Sequence, residues 1–237
     1  NSGSVAFAGS GSEGQRGIYT ANIGTSLTVV ADTNTPIPGR TGNFIFLRDP
    51  FLDRGNVAFV GQGPSSFAQE GIYTVINNAM RVVADTNTPI PGGTGNFIDF
   101  NNPSFDGGNV AFPNRNTNQQ ILGIYTDIGG SLTKVIEIND SLDSKTISAL
   151  AFGREGLSRN AIVFTAYFTD GSSGLYVAGV VDIQAVPNPA TPGQPLGLLL
   201  TLNNPGPAFN AEASLFFINN HSTVRITSLS WLIPAGL

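Results

Sequence analysis

Two short markers return along this chain at one fixed distance, and that period constrains its fold more than any other feature. The apolar triplets Val5-Ala6-Phe7, Val57-Ala58-Phe59, Val110-Ala111-Phe112 and Ile162-Val163-Phe164 are spaced by 52, 53 and 52 residues. Each is followed by a second marker: Gly17-Ile18-Tyr19-Thr20, Gly71-Ile72-Tyr73-Thr74, Gly123-Ile124-Tyr125-Thr126 and Gly174-Leu175-Tyr176-Val177. A longer stretch is written twice, ADTNTPIPGRTGNFI at 31–45 and ADTNTPIPGGTGNFI at 84–98, which differ only at Arg40/Gly93. Two markers that keep one period over four copies define a tandem array.

Each copy offers short strand candidates, in the second copy residues 56–60, 71–75, 80–84 and 96–100. They are rich in β-branched and aromatic residues and bounded by Gly, Asn, Asp or Pro, the signature of strands joined by turns. No window carries apolar residues at helical spacing between capping residues. The fold class is all-β: tandem four-stranded repeats of about 52 residues, with blades like those of a propeller. A β-solenoid fits less well, because its coils are shorter. In a blade the triplet's Ala allows close approach and its Phe fills the space between sheets. The copies at Val5 and Val57 should have all four strands, and the copy at Val110 has a degenerate third stretch at 134–138. The copy at Ile162 ends near 180–183, so the array is expected to be partial and its ring imperfectly closed.

Composition shifts near Val186. Residues 187–194, PNPATPGQ, form a proline-rich hinge, after which Glu212 and Arg225 are the only charged side chains. Strand-like runs at 196–202, 212–218 and 223–231 point to a partial β-sandwich. The expected division is a repeat domain at 1–186 and a partial immunoglobulin-like unit at 187–237, short of the ~100 residues of a whole such domain. Asn1 falls just ahead of the first triplet, so a fragment or processed chain is expected. A net charge of −5 without any Lys/Arg cluster argues against a nucleic-acid partner. The absence of Cys excludes disulfides and thiolate metal sites. No run approaches the roughly 18 apolar residues that a membrane-spanning helix needs.

The pattern Gly-x-Val-Ala-Phe, the Gly-Ile-Tyr-Thr marker and Ala-Asp-Thr-Asn-Thr-Pro-Ile-Pro-Gly resemble the bacterial choice-of-anchor tandem repeat NxxGxxAF-containing proteins, over residues 1 to about 180. Gly3, Gly55 and Gly108 hold that motif's Gly, whereas Leu52 and Phe105 stand where its Asn belongs and Asn160 replaces Gly in the last copy. The resemblance implies an exported or cell-surface protein of unknown role. The tail from Pro187 to Gly206 resembles the opening of bacterial surface immunoglobulin-like repeats. Neither resemblance supplies catalytic residues.

Candidate sites divide between the doubled loop and the loops that differ. Asp32, Asn34, Asp85 and Asn87 are oxygen donors of the type Ca²⁺ takes, but one carboxylate per copy is few for that ion. Asx-turns set by these residues, with Pro and Gly fixing the loop, are the favoured reading. Asp49, Asp53, Asp99 and Asp106 are candidates for an acid pair at a ring mouth, though surface turns account for them better. His221 is the single histidine, too few for a His-rich zinc site. The regular Tyr19, Tyr73, Tyr125 and Tyr176 fit a role between sheets better than a sugar-stacking surface. Loops between the two markers vary in length and carry Arg16, Phe67, Glu70, Arg115, Asn118 and Asp170, the residues put forward for ligand binding, because function concentrates on loops held by rigid scaffolds. No cofactor is expected. The functional expectation is a non-enzymatic exported or surface module for binding or display, its partner an extracellular carbohydrate or protein. The alternatives are a propeller enzyme acting on polysaccharide, as hydrolase or lyase, and a structural spacer.

Overall fold

The computed structural model describes residues 3–22, 24, 26–64, 66–179, 182–186 and 197–201, with backbone alone at 66–68, 182–186 and 197–201. The chain divides into two compact units, Asn1–Val180 and Val181–Leu237. Every named element among the described residues is a strand.

The first unit holds four antiparallel sheets in tandem. The first is β1 (Ser4–Ser10), β2 (Arg16–Asn22) and β3 (Thr28–Asp32). The second is β4 (Phe46–Asp53), β5 (Asn56–Gly63), β6 (Ser66–Ile76) and β7 (Ala79–Asp85). The third is β8 (Ser104–Asp106), β9 (Asn109–Arg115), β10 (Ile121–Thr126) and β11 (Thr133–Glu137). The fourth is β12 (Ser141–Leu142), β13 (Lys145–Ser158), β14 (Ala161–Phe168) and β15 (Ser173–Gly179). Each sheet is a meander in which sequence neighbours pair. In the second unit, β16 (Asp182–Val186) pairs antiparallel with β17 (Gly197–Thr201), Asp182 opposite Thr201. The strand runs expected at 212–218 and 223–231, the hinge and His221 lie outside the described residues.

Two expectations need correction. Residues 96–100 are not the fourth strand of the second copy: Asn96 and Phe100 make only isolated bridges, to Pro89 and Asn114. The fourth strand instead precedes the triplet, as β4 and β8, so each sheet begins one element earlier than its markers imply. The first sheet consequently has three described strands rather than four. The third strand of the copy at Val110, expected at 134–138, is present as β11, which pairs with β10 as β7 does with β6.

Alternation along the triplet strands explains the stacking. On β5, Val57 and Phe59 share a core with Ile18 and Ala31 of the first sheet, while Ala58 and Val60 share another with Val110 and Phe112 of the third. Ala111 and Ile124 of the third sheet in turn meet Ile162 and Phe164 of the fourth. Every junction thus joins the Val/Phe face of one sheet to the Ala face of the sheet before it. Phe59 and Phe112 are fully buried, in the place expected of them.

The second marker works with the first. Register pairs Phe7 with Tyr19, Phe59 with Tyr73, Phe112 with Tyr125 and Phe164 with Tyr176. The four ring pairs have centroids 5.9, 5.8, 6.1 and 5.9 Å apart. The tyrosine ring folds back over the marker glycine two residues earlier. A Cβ on Gly123 or Gly174 would sit 3.0 or 2.8 Å from the ring of Tyr125 or Tyr176, so only Gly leaves the space.

Candidate functional site

The strand directions place two kinds of connection at opposite ends of the stack. At one end are the tight β4–β5, β8–β9 and β13–β14 turns. Their central residues, Arg54-Gly55, Gly107-Gly108 and Arg159-Asn160, all have positive φ, as two-residue hairpins of right-handed twist require. Asp53 Oδ2 accepts from Gly107 N at 3.0 Å, and Asp106 Oδ2 accepts from Arg159 N. Asn109 Nδ2 donates to Asn160 Oδ1 at 3.0 Å. Each turn is thereby tied to the same turn of the next repeat.

The other end gathers the doubled loops and the variable hairpins. In both copies the loop opens on an Asx-turn: Asp32 Oδ1 accepts from Asn34 N at 2.9 Å, and Asp85 Oδ1 accepts from Asn87 N at 2.9 Å. Thr35 and Thr88 hydroxyls close each turn, donating to the same oxygens at 3.0 Å and accepting from Asp32 N and Asp85 N at 2.9 Å. The one difference between the copies links them. Arg40 donates from Nε to Asp85 Oδ2 at 2.9 Å, with a second nitrogen 2.8 Å from that oxygen, and both side chains are largely buried. Among the described residues no three acidic or histidine side chains gather to hold a metal ion.

Beneath these loops, between the second and third sheets, lies a polar node that sequence reading did not foresee. Arg48 on β4 donates to Asp49 Oδ2 at 2.6 Å, to Asn101 Oδ1 at 2.8 Å and to the Phe100 carbonyl at 2.7 Å, and it pairs with Glu70 on β6. Asp49 has φ +54°, at a bulge between Arg48 and Phe51 that turns both polar side chains into the node. Asp99 accepts from Asn101 Nδ2 at 2.9 Å and from Gln119 Nε2 at 3.4 Å. Glu70 is fully buried. Burial raises its carboxyl above the ordinary value of 4.5, and the Arg48 charge and hydrogen bond oppose that rise. An acid of raised pKa is a frequent catalytic feature, but this one has no exposed surface and is held by Arg48. The node can fix two sheets to each other.

The other loop candidates are dispersed. Arg16 is exposed and lies 5.1 Å over the Phe46 ring, a cation–π contact between the first and second sheets. Phe67 is on β6, its side chain outside the described ones. Arg115 donates to the Gln119 carbonyl at 2.9 Å within its own hairpin, and Asn118 N donates to Asn116 Oδ1 at 3.0 Å. Hydrogen bonds from Ser172, with Lys145 3.0 Å away, hold the Asp170 carboxyl down at about 2. Burial raises the Tyr73 hydroxyl to about 12, in keeping with a tyrosine inside the stack. Of the five whose side chains are described, Glu70 alone enters the node.

One hollow at the loop end is formed by three connections together. Gly14 comes from the β1–β2 hairpin, Thr33, Gly42, Asn43 and Ile45 from the first doubled loop, and Pro64 from the β5–β6 hairpin, around an open pocket of ≈ 520 Å³. Asn43 and Ile45 are exposed, as is Ile98 at the same place in the second copy. No helix among the described residues is long and apolar enough to cross a membrane. No curated protein and no solved structure matches the chain. A family model covers residues 1–192, and on that match the chain belongs to the family of unknown function DUF7453.

Proposed function

We propose that this chain is a non-enzymatic, exported module for binding or display, and that the loop end of the stack is its ligand surface. The observation that carries this reading is the hollow between the first and second sheets. It brings exposed Asn43 and Ile45 beside loops whose sequences differ from copy to copy. An apolar side chain beside amide donors fits an extracellular carbohydrate or a protein segment. Glu70, in the node between the second and third sheets, is engaged with Arg48, and Asp85 of the second doubled loop with Arg40, which favours scaffold over catalysis. The resemblance to choice-of-anchor repeat proteins supports a surface location. A propeller-like arrangement of the sheets accompanies this reading: Arg154 of β13 donates to the Pro50 carbonyl and lies 5.6 Å over Phe51 of β4, so β4 of the second sheet and β13 of the fourth converge.

Co-sedimentation with insoluble chitin, cellulose and peptidoglycan, beside a peptide array, tests the surface. Retention on one of these that is lost in Asn43→Ala and Ile45→Asp, with melting unchanged, is the expected result. Absence of retention throughout, or retention indifferent to both substitutions, would overturn it.

A further inference from the structure

We propose that the two outer faces of the four-sheet stack are halves of one interface, and that a second copy of this chain docks its first sheet onto its neighbour's fourth sheet, head to tail. The inference is independent of the loop-end hollow. It starts from equivalent positions that are buried in one copy and bare in another.

On the Val/Phe face, Phe59, Phe112 and Phe164 are at most 5% exposed, but Phe7 is 40% exposed and Val5 55%. On the Ala face, Ile18, Ile72 and Ile124 of the second marker are all fully buried, but Leu175 is 72% exposed. The cross-strand pair Val163 and Val177, next along the same face, is exposed as well. The first sheet therefore shows an unused Val/Phe face, and the fourth an unused Ala face. Those are the two surfaces that every internal junction joins. Exposed apolar patches of this kind mark interaction sites, and here the internal junctions specify the partner surface.

Details of shape agree. A hollow of ≈ 440 Å³ on the fourth sheet is lined by Ala151, Phe152, Val163, Thr165 and Leu175. Val163, Thr165 and Leu175 occupy the places that Ala58, Val60 and Ile72 take in the core containing Phe112. The internal junctions carry one further part, a phenylalanine from the segment connecting the sheets. Phe44 packs edge-on against Tyr73 at 4.9 Å, and Phe97 against Tyr125 at 5.0 Å. A Cβ on Gly61 would sit 2.5 Å from Phe44, and Gly9 keeps the same place open on the first sheet. Two copies are not joined covalently at this junction, so the interface depends on concentration. Head-to-tail contacts are heterologous, building rings or open chains according to whether the rotation closes.

Light scattering on the eluted 237-residue chain across a concentration series reads this directly. The expected wild-type mass rises from 24.7 kDa toward its multiples as concentration increases. Phe7→Glu spoils one face and Leu175→Glu the other, so each alone should remain at the monomer mass. An equimolar mixture of the two should give a one-to-one heterodimer and nothing larger, because each partner keeps the face the other lacks. Both residues are exposed, and thermal melting confirms that each variant is folded; Val5→Lys and Val177→Lys repeat the pair if one is not. A wild type that stays monomeric throughout, a single variant that associates like wild type, or a mixture that fails to pair would each overturn the proposal.

Discussion

Two arginines show how single side chains lock this repeat. Arg48 gathers Glu70, Asp49, Asn101 and the Phe100 carbonyl, and its removal strands a fully buried carboxylate. Breaking a buried pair costs about 3–5 kcal/mol. Because the Arg48 side chain is 24% exposed, Arg48→Ala should cost about 2–4 kcal/mol in urea unfolding. Glu70 has the opposite lever. Its folded pKa lies above the ordinary 4.5, so between those two values the folded protein holds a proton that the unfolded chain has released. Stability therefore falls as pH rises through that window and stays lower above it. Glu70→Gln should flatten this fall, and an unchanged slope would remove Glu70 as its source. Arg40→Gly makes the two doubled loops identical and leaves Asp85 without its guanidinium; a loss of about 1–2 kcal/mol is expected for a largely buried, charge-assisted pair. The third sheet needs no such arginine. Glu137 occupies the register place of Asp85, and Lys134 and the Tyr125 hydroxyl serve it.

At the scale of elements, the markers were legible because strand periodicity and cross-strand pairing act through them. Phe-to-Tyr pairs, the marker glycine and the Ala face all follow from alternation along β1, β5, β9 and β14. Phe112→Ala should accordingly cost about 3–5 kcal/mol, and Phe7→Ala well under half of that, since Phe7 already meets solvent. Equal losses would contradict the placement of Phe7 on an outer face. Among the elements that sequence reading missed is β4. Its sequence, Phe46 to Asp53, carries Pro50 and three charged residues, and a bulge after Arg48 interrupts the ladder, so no clean alternation announces a strand. The opposite error at 96–100 has an equally physical source. Phe97 and Phe100 are buried because they fill the space between sheets, and apolar residues that plug a junction look in sequence like residues of a strand. The Arg48 node was illegible for another reason: its members come from β4, β6 and a connecting segment, and only the bulge at Asp49 and the stacking bring them together.

At the scale of the molecule, one rule generates the first unit: each repeat adds a sheet whose Val/Phe face covers the Ala face before it. Equivalent turns then fall side by side, about one period apart in sequence. The absence of cysteine makes this directly measurable, because an introduced pair has no competitor. Asp106 and Arg159 stand in consecutive turns, the carboxylate of one accepting from the backbone amide of the other, and Arg159 already has the positive φ of its turn. The double variant Asp106→Cys with Arg159→Cys should form a disulfide in the folded protein under mild oxidation, lose that preference in denaturant, and melt at a higher temperature when oxidised than when reduced. A folded protein in which the two thiols remain free under the same oxidation would contradict the stacking of repeat on repeat.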